Sequence, residues 1–183
     1  IELLSSQVER CNEILKRLTL NPVEEDEFID KDLTMRDYLS EIILSFKEIS
    51  KKKFIFNFDQ FSNVKKITKS IEIVYGLRNF IGNANKFSKN SIYINLKSDS
   101  EFTEITIEDD GNGYPKDVLS KIGEPYLRSN DPIDKSKTGL GLGLFIGKTL
   151  LEKNFASINC RNSKTRTGAE VIIKWNNKDL FNI

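Results

Sequence analysis

Two alternating-glycine stretches constrain this chain most: Asp109-Asp110-Gly111-Asn112-Gly113 and, some 26 residues later, Gly139-Leu140-Gly141-Leu142-Gly143-Leu144. Asp-Gly and Asn-Gly are strong turn formers, so the first stretch by itself also fits a hairpin turn. It follows the alternating Ile105-Thr106-Ile107 and precedes a long polar segment, which places it at a strand end. The second stretch opens an apolar helix. Its glycines leave several backbone N–H groups able to face an anion, and the helix adds its positive N-terminal end. A pure glycine hinge is the bland alternative there.

Two other glycine motifs fail on their context. Gly143-Leu144-Phe145-Ile146-Gly147-Lys148-Thr149 resembles a P-loop, but that motif needs glycine where Leu142 stands, and its Lys and Thr would lie mid-helix. A dinucleotide fingerprint needs a strand before its glycines, and residues 129–136, rich in Asp, Asn, Ser and Pro, do not read as one.

Along the chain, Ile1, Leu4, Val8, Cys11, Leu15 and Leu18 step by three and four, the spacing of a coiled-coil seam. Asn21-Pro22 stops that helix, and the acidic Glu24–Glu27 stretch reads as a linker over 21–33. Thr34 can cap a second helix running to about Ser50, with Lys51, Lys52 and Lys53 near its negative end. The pattern predicts a strand over 54–58 and a helix over 68–88 with Ile73, Leu77, Phe80, Ala84 and Phe87 on one stripe. Strands are expected near 92–97 and 102–108, with a short helix after Pro115 inside a loop from 110 to 140. A helix over 142–153 and strands near 156–161 and 169–175 complete the pattern. Helices gathered with a mostly antiparallel sheet imply a two-layer α/β (α+β) sandwich.

The remaining bounds are broad. The 183 residues suffice for one domain that buries roughly 70% of its unfolded surface. A net charge of +1 gives no electrostatic case for nucleic acid or a membrane surface. No apolar run approaches the roughly 20 residues that cross a bilayer. Starting at Ile1 without Met or signal peptide, the chain reads as part of something longer. Cys11 and Cys160 do not make a disulfide framework, which suits a reducing cytoplasm. The absence of histidine excludes His catalysis and His metal ligation within these residues.

The chemistry then concentrates in three places. Asn79, Asn83 and Lys86 lie four and three apart, on one helix face beside the apolar stripe; a merely solvated polar face is the alternative. An amide oxygen is a hard ligand suited to Mg²⁺ that bridges phosphates. At the first glycine stretch a carboxylate can accept a hydrogen bond from the adenine amino group, whereas guanine presents a carbonyl oxygen there. Gly111 and Gly113 let the backbone approach the ring. At the second stretch Gly139, Leu140, Gly141, Leu142, Gly143 and Leu144 leave backbone N–H groups free to face a phosphate.

Together with the run Asn79–Phe87, these stretches resemble the ATP site of sensor histidine kinases, in the wider group of type II topoisomerases, Hsp90-type chaperones and MutL-type repair proteins. The resemblance implies ATP and Mg²⁺ as cofactors and a catalytic, ATP-binding domain over 34–183, preceded at 1–20 by the second helix of a dimerisation hairpin. It gives the adenine contact to Asp109, Mg²⁺ to Asn83 and a phosphate approach to Lys86, with Phe87 beside them. Residues 114–138 become an ATP lid in which Tyr126 belongs to an aromatic motif. Lys137 and Thr138 lead into the phosphate loop, while Arg128 and Lys135 are further lid cations. Thr167 with Gly168 matches a weaker third glycine element, whose partner glycines are replaced by Asn154-Phe155-Ala156. Asn79 stands where hydrolysing relatives carry a Glu that activates water. An amide cannot be that base, which favours phosphoryl transfer over hydrolysis.

Val8-Glu9-Arg10-Cys11, Tyr75–Asn79, Gly123–Tyr126 and Leu142–Glu152 further resemble redox-responsive kinases of the RegB/PrrB type. That implies a homodimer and a RegA/PrrA-like response regulator receiver domain as partners. It also implies a chain on the cytoplasmic side of a bacterial inner membrane, without direct membrane contact of its own, and makes Cys11 a redox candidate. The competing readings are an anti-sigma-type serine kinase on the same fold and a degenerate ATP-binding or dimerising scaffold.

Overall fold

A computed structural model describes residues 33–59, 66–67, 70–126 and 141–181. The expected coiled coil over 1–20, nearly all of the 21–33 linker, Cys11 and the lid residues 127–138 lie outside that description.

Leu33–Thr34 (β1) leads into Met35–Ile49 (α1), and the junction is a capping box. Thr34 Oγ1 accepts from the Asp37 N–H at 3.2 Å, and the Asp37 carboxylate accepts from the Thr34 N–H at 2.9 Å. Two orphan donors of the first turn are thereby satisfied. Lys53–Phe58 (β2) follows, then Lys66–Ile67 (β3), which pairs antiparallel with β1 in a two-stranded ribbon absent from the sequence expectation.

Ile71–Phe87 (α2) is capped by Ser70, whose Oγ accepts from the Ile73 N–H. Ser91–Ser98 (β4) and Phe102–Asp109 (β5) form a hairpin, and Lys116–Leu119 (α3) is one turn after Pro115. Gly143–Lys153 (α4), Ser157–Asn162 (β6), Ala169–Asn176 (β7) and a last turn at Asn177–Leu180 (α5) close the domain.

The main sheet runs β2-β4-β5-β7-β6. β2 and β4 are parallel and the other three pairs antiparallel, so the sheet is mixed. Period-two alternation divides its faces. Ile92, Ile94, Leu96, Ile105, Ile107, Val171, Ile173 and Trp175 are buried under α1 and α2 in one core. Tyr93, Asn95, Glu104 and Lys174 alternate with them on the other face. Trp175 is fully buried and donates its indole N–H to the Asn154 carbonyl at 3.0 Å.

The close approach of α2 and α4 matters most for function. A methyl group at Gly76 would come 2.5 Å from Leu151 Cγ, and one at Gly147 would lie 3.0 Å from Phe80 Cε2 and 3.1 Å from Asn79 Cβ. Two glycines on facing surfaces therefore let the helices nearly touch, and this sets Asn79 beside the start of α4.

Candidate nucleotide site

Three consecutive acids end β5 and its exit, and each is held differently. Asp109 is buried on the helix-covered side of the sheet. Its Oδ1 accepts from the Gly111 N–H at 2.8 Å and the Ala169 N–H at 3.3 Å. These two donors orient the carboxylate at the strand's end. Side chains larger than hydrogen cannot enter here: a methyl group at Gly168 would overlap the Asp109 backbone and carboxylate, and one at Gly111 would overlap the Phe87 carbonyl. Gly111 thus brings the acidic loop against the C-terminal end of α2.

Asp110 clamps that same end. Its carboxylate accepts from the N–H groups of Lys89, Asn90 and Ser91 at 2.7, 2.9 and 3.1 Å, so it fixes the turn between α2 and β4. Burial pushes this carboxyl's pKa up, but the donated backbone hydrogen bonds outweigh it and hold the pKa below the ordinary value. From the other side the Lys52 ammonium donates to the carbonyls of Asn85 and Ser88, capping the negative end of α2.

The next turn is fastened to β6. Tyr114 donates its N–H to Asn162 Oδ1 at 2.6 Å, and Asn162 Nδ2 returns a bond to the Tyr114 carbonyl at 3.1 Å. Gly113 adopts φ +76°, and a methyl group there would come 2.6 Å from Asn162 Oδ1, so this glycine answers both a conformation and a close contact. The buried Tyr114 hydroxyl is hydrogen-bonded with the Cys160 thiol. Burial, then the neighbouring Cys160 and Asp109, raise the Tyr114 pKa well above its usual value. Burial pushes the Cys160 thiol up to about 11, with Tyr114 and Lys148 opposing.

On α2 the expected trio lies along one half-buried edge. Asn79 donates its amide to the Tyr75 carbonyl at 2.8 Å, and its Oδ1 stands 3.6 Å from where a methyl group on Gly143 would be. The Lys86 ammonium lies 5.0 Å from the centre of the Phe87 ring. Gly141 takes φ +70° before α4, and Leu142 caps that helix without any side-chain hydrogen bond. Its first N–H groups are therefore left to backbone geometry and whatever lies beyond the helix end. Leu144 packs against the core, and Gly143 is exposed.

Among the described residues, no group of three or more Cys, Asp or Glu gathers to hold a metal. The hard donors on this edge of α2 are the amide oxygens of Asn79, beside the start of α4, and of Asn83 four residues further along the helix. That donor set fits a cation completing its shell with water and phosphate oxygens, as Mg²⁺ does.

The structure thus brings Asn79, Gly143 and the start of α4 together, and separately Asp109, Gly111, Phe87 and Gly168. Thr167 is exposed on the β6–β7 loop, and Tyr126 is exposed at φ +61°. Arg128, Lys135, Lys137, Thr138, Gly139 and Leu140 fall outside the described residues. Sequence reasoning passed over Asn162, the clamp role of Asp110, and Glu108. Strand alternation was the available signal for Glu108, since it must face away from Asp109.

Together the fold and this glycine-lined acidic corner define a class. A family model, that of the histidine kinase-, DNA gyrase B- and HSP90-like ATPases, matches residues 68–179, and the chain belongs to that family. Among curated relatives, the sensor histidine kinase RegB of Cereibacter sphaeroides is 31% identical over 95% of this chain. The match covers 41% of that relative's own length. Among solved structures, a mycobacterial sensor histidine kinase, MprB, superposes with a TM-score of 0.67 at 20% identity, covering 79% of this chain and 96% of that one. Full-length ShkA in complex with AMPPNP gives 0.65 at 17% identity, over 79% of this chain and 30% of that one. These last two likenesses speak to the fold.

Proposed function

We propose that this chain is the ATP-binding catalytic part of a dimeric sensor histidine kinase. It binds Mg-ATP and directs the γ-phosphoryl to a His outside residues 1–183, from which a response regulator receives it. The observation that carries this reading is the buried Asp109 carboxylate, oriented by Gly111 and Ala169 where the adenine amino group would donate.

Phe87 lies against the same loop. Asn83, with Asn79 beside it, would hold Mg²⁺, which when bound neutralises phosphate charge and bridges phosphate oxygens. Lys86 and Lys137 approach those phosphates. Gly139, Leu140, Gly141, Leu142, Gly143 and Leu144 would offer backbone N–H groups to them, and Thr138, Thr167 and Tyr126 would contribute to ATP binding. Asn79 has no basic group with which to activate water, so the site suits transfer rather than hydrolysis.

Residues 1–20 would supply the second helix of a dimerisation hairpin, 21–33 a linker and 34–183 the catalytic domain. The RegB likeness supports a RegA/PrrA-like receiver as partner, a membrane-anchored whole protein and a redox role for Cys11.

The chain should bind Mg-ATP without acquiring acid-labile phosphohistidine, and should transfer phosphate when a hairpin bearing the acceptor His is supplied. Asn83→Ala should lower transfer more than nucleotide binding. Radiolabel on Ser or Thr of this chain would instead favour the serine-kinase reading. For Cys11, mild oxidant should give a DTT-reversible covalent dimer, lost in Cys11→Ser and kept in Cys160→Ser. A dimer that survives Cys11→Ser would contradict the redox role.

A further inference from the structure

Glu108 immediately precedes the carboxylate assigned to adenine, yet it points to the opposite face of the sheet. It is 7% exposed there, and a second glutamate, Glu170, stands directly opposite it on β7. Like charges at opposed positions of an antiparallel pair are unfavourable, so this placement needs compensation. Glu170 has Arg161 from β6 as its ion-pair partner.

Glu108 finds its compensation elsewhere. Its Oε1 accepts from Ser163 Oγ at 2.7 Å and Thr165 Oγ1 at 3.2 Å, while Arg166 Nε lies 3.6 Å from its Oε2. The Arg166 guanidinium stacks 3.5 Å over the ring of Tyr93, the residue paired with Glu108 on β4. Ser163 Oγ in turn accepts from the N–H groups of Thr165 and Arg166. Among the described residues, the side-chain hydrogen bonds and the ion pair of Glu108 go to the 163–166 segment, while Arg161 of β6 adds a charge attraction without a hydrogen bond.

That segment leads directly into Thr167, Gly168 and Ala169. Gly168 abuts the Asp109 backbone and carboxylate, and Ala169 donates to Asp109 Oδ1. One loop is therefore gripped from both faces of the sheet by successive residues of one strand. Releasing the outer grip would let Gly168 and Ala169 shift against the inner carboxylate.

Resting on the nucleotide reading above, we propose that Glu108 is a positioning residue for base recognition, acting through the β6–β7 loop on Asp109. A clasp that merely stabilised the domain would change the folded fraction without changing the preference of folded protein for one base over another.

The test is calorimetric titration of ATP and of GTP, with Mg²⁺, into wild type, Glu108→Ala, Glu108→Gln and Asp109→Asn, well below each variant's melting temperature. Glu108→Ala should weaken ATP by roughly 5- to 20-fold and narrow the ATP-over-GTP preference. Glu108→Gln keeps an acceptor for Ser163 and Thr165 and should recover much of the preference. Should Glu108→Ala prove too unstable, Ser163→Ala with Thr165→Val removes the same bonds from the loop side and should narrow the preference likewise. An unchanged ATP-over-GTP ratio in folded loop-side or Glu108 variants overturns the proposal, provided Asp109→Asn weakens ATP. Wild type that binds ATP and GTP equally would instead overturn the base-reading role of Asp109 itself.

Discussion

Cys160 shows how one residue's surroundings decide its chemistry. It lies on β6 with its thiol hydrogen-bonded to the buried Tyr114 hydroxyl, and its pKa is raised to about 11 from an ordinary 9.0. The thiolate is the reactive species, so two units of displacement leave about 100-fold less of it at neutral pH. In a Cys11→Ser background, a disulfide reagent should therefore label native Cys160 about 100-fold more slowly than free cysteine at pH 7.5. The rate should climb about tenfold per pH unit up to near pH 11. Labelling at the free-cysteine rate would contradict the burial that raises this thiol's pKa. The same contrast separates the cysteines: a raised pKa makes Cys160 a poor cross-linking partner, so an oxidised dimer should depend on Cys11.

At the scale of elements, the positions of helices and strands were legible because each carried a period or a cap. Thr34 marked the start of α1, where the structure adds Asp37 as the other half of a capping box, and the stripe from Ile73 to Ala84 marked α2. The two-residue β1–β3 ribbon carries no period long enough to read. Tertiary contacts were less visible than elements. Asn154 looked like a turn substitution, but it is buried, with Oδ1 accepting from Ser70 Oγ at 3.0 Å and Nδ2 donating to the Leu150 carbonyl at 2.9 Å. Phe155 after it takes φ +62°, the conformation a glycine would adopt freely. Gly76 is where α4 approaches α2. Gly76→Ala would force its methyl to within 2.5 Å of Cγ of the fully buried Leu151. Overpacking of this kind costs about 1–3 kcal/mol, so chemical denaturation should show that loss despite alanine's better helix propensity. Because Asn79 rides on the same helix contact, Mg-ATP affinity should fall with it. A Gly76→Ala variant as stable as wild type would contradict the close crossing.

For the molecule as a whole, one mixed sheet covered by helices on one face presents its acids and glycines at the carboxyl end of β5. The carboxylate there was legible as a motif, and so was the glycine run that leads into α4. What held them was not, because Asn162, Asp110 and Glu108 act through contacts between residues some 20 to 57 positions apart. The central claim is that the buried Asp109 carboxylate reads adenine in an ATP site. Calorimetric titration of Mg-ATP into wild type and Asp109→Asn tests it most directly. Wild type should bind ATP with a clear preference over GTP, and Asp109→Asn should lose about one to two decades of ATP affinity, the roughly 1–3 kcal/mol of a badly paired buried polar group. Equal ATP affinity in the two proteins, with both folded, would contradict the account.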